Sequence, residues 1–169
     1  NTAVGYFALL SNTTGANNVA VGAYSLDANT TGANNTAIGY NSLTSNTTAG
    51  DNVAVGKDSM HNNSTGTYNT GLGRSCLESN TTANNNTGVG YQALKVNTTG
   101  AENVAVGSKT LDANTTGGEN TAVGYVALGA NTTGSNNVAI GRACLDANTT
   151  ASNNTGIGHS ALGANTTGT

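Results

Sequence analysis

A glycine returns every seventeen residues along this chain, as Gly5, Gly22, Gly39, Gly56, Gly73, Gly90, Gly107, Gly124, Gly141 and Gly158, with no insertion or deletion between copies. The aliphatic before it keeps the same step, from Val4, Val21 and Ile38 to Ile157. So does the one four places after it, from Leu9, Leu26 and Leu43 to Leu162. A fixed period held through ten copies is the signature of a stacked array, in which a repeat buries its apolar groups only against its neighbours. Such a chain has no single centre to fold around. Residues 1–169 therefore form one repeat array, with coils beginning at 1, 18, 35, 52, 69, 86, 103, 120, 137 and 154. The chain opens and stops inside a repeat, as expected of a slice of a longer fibre.

Composition removes the competing architectures. With no Trp, one Phe and one Met, and many of its 36% hydrophobic residues being alanine, the chain cannot fill a compact core. It can supply a thin continuous one. Disorder does not explain why Val and Leu stay in register with a glycine. Charged residues are 8% of the chain and the net charge is -3, while the cations Lys57, Arg74, Lys95, Lys109 and Arg142 look scattered. That argues against nucleic acid and against an anionic membrane surface as partners. The longest apolar runs are a few residues, too short to span a bilayer.

Places in the repeat are numbered 1–17 from Asn1. Places 2–4 read Thr2-Ala3-Val4, Val19-Ala20-Val21 and Thr36-Ala37-Ile38, an alternation of β-branched and small residues that predicts a strand. The β-branched pair is expected to face the coil interior. Place 3 admits only Ala or Gly, so Ala3, Ala20, Ala37, Ala54, Ala105, Ala122 and Ala139 are expected to face a neighbouring chain packed too closely for a larger side chain. The glycine at place 5 permits a turn or bulge that a Cβ would obstruct. Places 6 and 7 vary freely in polarity and read as solvated. Place 8 takes Ala, Ser, Thr or Cys, and place 9 takes Leu or Met. The latter is expected to point inward and meet Val4.

Places 11–17, Ser11-Asn12-Thr13-Thr14-Gly15-Ala16-Asn17 in the first copy, have the chemistry of a loop between strands. Gly, Asn and Thr are poor helix formers, and no three-four apolar spacing is sustained. There is no Pro, so nothing removes a ladder donor. Parallel stacking of like on like follows, with Asn columns at places 1 and 12 bonding amide to amide. The predicted fold is an all-β parallel solenoid, a β-roll of ten coils ~48 Å long at the usual strand spacing.

The core of the repeat, as in Asn18-Val19-Ala20-Val21-Gly22 with Ser25 and Asn52-Val53-Ala54-Val55-Gly56 with Ser59, resembles the head-domain repeat of trimeric autotransporter adhesins. It is also similar to repetitive arrays of phage tail fibres and surface fibres. The likeness touches all ten copies and covers about half of each. It implies a left-handed roll, three chains packed along a common axis, and a rod on a bacterial surface that binds matrix or cells. It also makes the place-3 alanines the expected trimer-facing column. The family repeat is shorter, and the extra length falls in the NTTG loop.

The most repeated chemical motif is the sequon at Asn12, Asn29, Asn46, Asn63, Asn80, Asn97, Asn114, Asn131, Asn148 and Asn165. One reading is a rod with an N-glycan on every coil; the other is a stacked turn that wants Asn and Thr for its own sake. Rungs ~4.8 Å apart leave little room for branched sugars. Catalysis has little to build on. His61 and His159 occupy different places, Asp27, Asp112 and Asp146 share place 10 with unrelated residues, and the glycines lack the Lys and helix of a phosphate loop. Cys76 and Cys144 share place 8 and lie four periods apart, too far for a disulfide, and read as small buried hydrophobes. Tyr6, Tyr40, Tyr91 and Tyr125 share place 6, as platforms for sugars or a partner or as rings packed along a strand. The chain thus reads as no enzyme, with no metal and no cofactor. It is expected to be a structural extracellular, cell-surface or virion fibre that assembles with itself. The alternative is an adhesin or tail fibre binding glycans or a cell-surface or matrix receptor.

Overall fold

A computed structural model describes residues 1–168. Ten three-residue strands follow in order: β1 (Thr2–Val4), β2 (Val19–Val21), β3 (Thr36–Ile38), β4 (Val53–Val55), β5 (Thr70–Leu72), β6 (Thr87–Val89), β7 (Val104–Val106), β8 (Thr121–Val123), β9 (Val138–Ile140) and β10 (Thr155–Ile157). They make one parallel sheet in chain order, and the described residues contain no helix. The register is like on like, Ala3 opposite Ala20 and Ala20 opposite Ala37. The chain is a parallel β-solenoid. Nine strand-to-strand steps carry it ~43 Å along its axis.

Coil-to-coil bonding continues beyond the strands. Leu9 N–H donates to the Ser25 carbonyl at 3.0 Å, Thr13 N–H to the Thr30 carbonyl at 2.9 Å, and Tyr24 N–H to the Tyr6 carbonyl at 2.8 Å. The corner between strand and loop is made by backbone conformations that the side chains do not advertise. Places 7 and 9 are left-handed in every coil, Phe7 at φ 59° and Leu9 at 53°, Tyr24 at 58° and Leu26 at 51°. Each such residue costs about 1–2 kcal/mol for an L-amino acid. At place 9 that cost is offset by complete burial of a leucine, worth roughly 1.5–3 kcal/mol. Gly22, at φ 133°, has a second constraint: a Cβ there would stand 2.5 Å from the carbonyl oxygen of Gly39 in the next coil.

The strand faces the opposite way to that expected. Ala20, Ala37, Ala54, Ala105, Ala122 and Ala139 are fully buried inside the coil, whereas Val4, Ile38, Val106 and Ile140 are exposed. Ala3, in the terminal coil, is itself exposed. The place-3 column is therefore no surface for a neighbouring chain. The leucine at place 9 does point inward, but it packs against this alanine column and not against Val4.

The physical reason is the width of the coil. The leucine and the small residue at place 8 press from the opposite wall onto the strand, leaving room for a methyl group or less. The three coils that carry Gly at place 3 show it directly. A Cβ on Gly88 would stand 2.5 Å from Cys76 Sγ, one on Gly156 would stand 2.7 Å from Cys144 Sγ, and one on Gly71 would stand 2.9 Å from Ser59 Oγ and 3.0 Å from Met60 Cγ. Each glycine faces one of the oversized side chains of the preceding coil. The close approach that the sequence implied is real, but the approaching group belongs to the same chain.

Candidate binding edge

Two asparagine columns run through the interior. At place 12, Asn29 Nδ2 donates to Asn12 Oδ1 at 2.9 Å and to the Gly32 carbonyl at 3.0 Å. At place 1, Asn18 Nδ2 donates to that same Gly32 carbonyl at 2.8 Å, and Asn18 Oδ1 accepts the Asn35 backbone N–H at 2.8 Å. The two columns meet on the carbonyl of place 15. Asn46 and Asn114 repeat the place-12 pattern.

This geometry overturns the glycan reading of the sequons. Asn29, Asn46, Asn63, Asn80, Asn97, Asn114, Asn131 and Asn148 are fully buried, and Asn12 and Asn165 in the terminal coils are half-buried. Both amide hydrogens of an interior member are already donated, and a sugar would have to replace one of them. The residue directly after the asparagine, the middle one of the motif, bonds the next coil from Thr13 to Thr132, as where Thr30 Oγ1 donates to the Thr47 carbonyl at 3.0 Å. The motif is a stacked turn.

The outside of the coil has two features in register. The first is the outer face of the sheet, where place 4 presents an aliphatic in every coil, among them Ile38 (39% exposed), Leu72 (36%), Val106 (37%) and Ile140 (40%). Thr or Val stands beside it at place 2. The result is a strip of aliphatic and threonine side chains running the length of the rod.

The second is the edge formed by places 6 and 7. Coil by coil it carries Tyr6 with Phe7, Tyr24, Tyr40, Lys57, Arg74, Tyr91, Lys109, Tyr125, Arg142 and His159, so that no coil lacks a ring or a cation there. All of these except the half-buried Tyr24 are exposed. The rings at the low-numbered end touch one another. Tyr6 and Phe7 stack with centroids 4.0 Å apart, and Tyr24 meets Tyr6 at 5.5 Å and Tyr40 at 6.1 Å, edge to face. Further along, Lys57 lies 5.6 Å from the Tyr40 centroid, Arg74 6.0 Å from that of Tyr91, and Arg142 5.9 Å from that of Tyr125. Each cation is thereby steadied by a ring of the adjoining coil.

The cations that look scattered in linear order are gathered by the stacking. Four of the five, Lys57, Arg74, Lys109 and Arg142, lie on this edge, with Asp58 its one acid. The remaining acids sit at places 10 and 17, namely Asp27, Glu78, Asp112 and Asp146 in one column and Asp51, Glu102 and Glu119 in the other. Among the described residues the one ion pair is Lys57 to Asp58, at 3.7 Å. Counting residues modulo seventeen would have revealed this segregation; reading them in sequence hides it.

Other chemistry is sparse. Burial pushes the Cys76 thiol up to about 12 and raises that of Cys144, so neither is a reactive thiolate. Both cysteines are free and buried. The stack sets His61 directly beside Glu78 at place 10, an acid neighbour that the linear sequence does not suggest, yet no ion pair joins them. Burial raises Asp27 and Asp112, opposed first by backbone hydrogen bonds at both and less by His61 at Asp27 and by Lys109 and Lys95 at Asp112. Among the described residues there is no group of three potential metal ligands and no pocket.

The class that the fold defines is a parallel β-solenoid repeat protein, with a rod-shaped surface and no concave site among its described residues. Compared with protein-family models, with curated proteins and with solved structures, the chain matches none.

Proposed function

We propose that this chain is a structural rod segment of an extracellular, cell-surface or virion fibre, assembling with itself through the outer face of its sheet. The observation that carries the reading is the aliphatic at place 4 in all ten coils, exposed in seven and half-buried at Val21, Val55 and Val89, which makes an apolar strip along the rod of the kind that marks a contact surface. Self-association in threes, with left-handed coils, is what the repeat's resemblance implies. The strip supplies the contact surface that the buried alanines cannot. The work of such a segment is mechanical, since identical rungs bonded on both sides give reach and stiffness.

Light scattering on the purified chain tests it. The expected mass is three times the 16.6 kDa of one chain. Ile38→Lys/Leu72→Lys/Val106→Lys should give single chains with an unchanged circular dichroism spectrum. A wild-type chain that stays single would end the self-association reading. The second reading, a receptor-binding adhesin or tail fibre, is favoured by the ring-and-cation edge, which lies on a different part of the circumference.

A further inference from the structure

The edge at places 6 and 7 is built unlike the rest of the rod, and its chemistry specifies a partner. We infer that this edge is a binding track for a linear acidic polysaccharide, a polymer whose sugar rings lie on the tyrosines while its carboxylates or sulfates meet the cations. The assignment deepens the receptor-binding reading. It rests on the coil stacking alone and is independent of self-association through the aliphatic strip.

Three observations converge. First, the edge is continuous, with a ring or a cation in every coil along ~43 Å. A repeating linear polymer can engage such a track many times over by weak contacts, and linkage of those contacts multiplies the affinity. Second, the two group types match the two faces of an acidic sugar. An exposed tyrosine ring offers a flat apolar surface to the C–H face of a pyranose, and its hydroxyl offers a hydrogen bond. A guanidinium pairs bidentately with a carboxylate or sulfate. Arg74 lies over the Tyr91 ring and Arg142 over the Tyr125 ring, 6.0 Å and 5.9 Å from the centroids, so a ring and a cation meet the same stretch of polymer.

Third, the charge density selects among polyanions. Lys57, Arg74, Lys109 and Arg142 span five coil steps, ~24 Å, and with Asp58 set against Lys57 the edge keeps about one net positive charge per 8 Å. A nucleic acid strand carries about one charge per 3.4 Å and would be left half-neutralised, facing a rod of net charge -3. A polysaccharide with one acid per sugar or per disaccharide fits this spacing. The acids at places 10 and 17 then confine a polyanion to the one edge of positive sign.

Affinity electrophoresis and calorimetric titration with sodium alginate test the assignment, with neutral dextran and oligo-thymidine as comparison probes. Place 6 natively holds Ala23 and Ser108, so substitutions there are compatible with the coil. Lys57→Gln/Arg74→Gln/Arg142→Gln and Tyr91→Ser/Tyr125→Ser are the variants, each checked by circular dichroism and by its mass in light scattering. Unaltered spectra and masses keep the fold and self-association separate from binding. Wild type should be retarded by alginate and not by dextran, less so as salt rises. Each variant should bind alginate about ten-fold more weakly or worse. No retardation by alginate overturns the assignment, even for a chain that binds cells or matrix by other means. So does an unchanged affinity in either variant, and so does tighter binding of oligo-thymidine than of alginate.

Discussion

Cys76 and Gly88 illustrate how individual residues are set by their neighbours one coil away. Where most coils put Ala or Ser at place 8 and Ala at place 3 of the next coil, this pair is Cys with Gly, and the Cβ missing from Gly88 would stand 2.5 Å from Cys76 Sγ. Gly88→Ala should therefore destabilise by about 1–3 kcal/mol through overpacking. Cys76→Ala/Gly88→Ala recreates the pair that Ala93 and Ala105 form elsewhere in the rod, and should recover most of the loss. Urea unfolding of the two single variants and the double closes the cycle. Additive effects would mean that the two side chains do not compete for the same space. The left-handed places 7 and 9 are the residue-scale feature that no reading of the sequence reaches. Leu or Met occupies place 9, and place 7 ranges from Phe7 and Tyr24 to Lys109 and Val126, with Asn41 and Asp58 the two members whose type favours positive φ, too few to mark the position.

At the scale of one coil, the asparagine columns share the interior with the apolar column of leucines and alanines. Asn97 Nδ2 donates to Asn80 Oδ1 at 3.1 Å and to the Gly100 carbonyl at 2.8 Å, while its own Oδ1 accepts from Asn114 at 2.8 Å. Asn97→Asp puts a buried carboxylate oxygen where two acceptors expect a donor, and should cost about 3 kcal/mol or more. A urea midpoint within experimental error of wild type would show that the column carries little of the stability. The columns, the strands and their parallel stacking could all be read from the period. The inward face could not. Three residues of alternation identify two faces without saying which is inside, and the preference for burying β-branched residues points the wrong way when the coil is too narrow to hold them. Ile38 is pushed out and Ala37 kept in by the volume of Leu26 in the preceding coil, a limit of shape and not of hydrophobicity.

The whole molecule is one-dimensional, each coil meeting only the coils above and below it. Removing one complete repeat, residues 69–85, joins Tyr68 to Asn86 and leaves every column in register. That variant should fold, unfold cooperatively and measure ~5 Å shorter by small-angle scattering. Removing residues 69–76 cuts the fifth coil in half and interrupts every column there, and should leave two shorter stacks that unfold at a lower urea concentration than the full-repeat deletion. If the full-repeat deletion fails as badly as the partial one, the coils are not equivalent units.

The amides of both asparagine columns all lean the same way. Asn29 Nδ2 reaches back to Asn12, Asn46 to Asn29 and Asn148 to Asn131, and the backbone N–H of Asn35 reaches back to Asn18 in the same sense. The rod therefore has a built-in arrow, offering hydrogens from its columns at one extremity and oxygens at the other. Two such rods can be spliced head to tail but not nose to nose, so a filament lengthened on this pattern points in one direction along its whole extent.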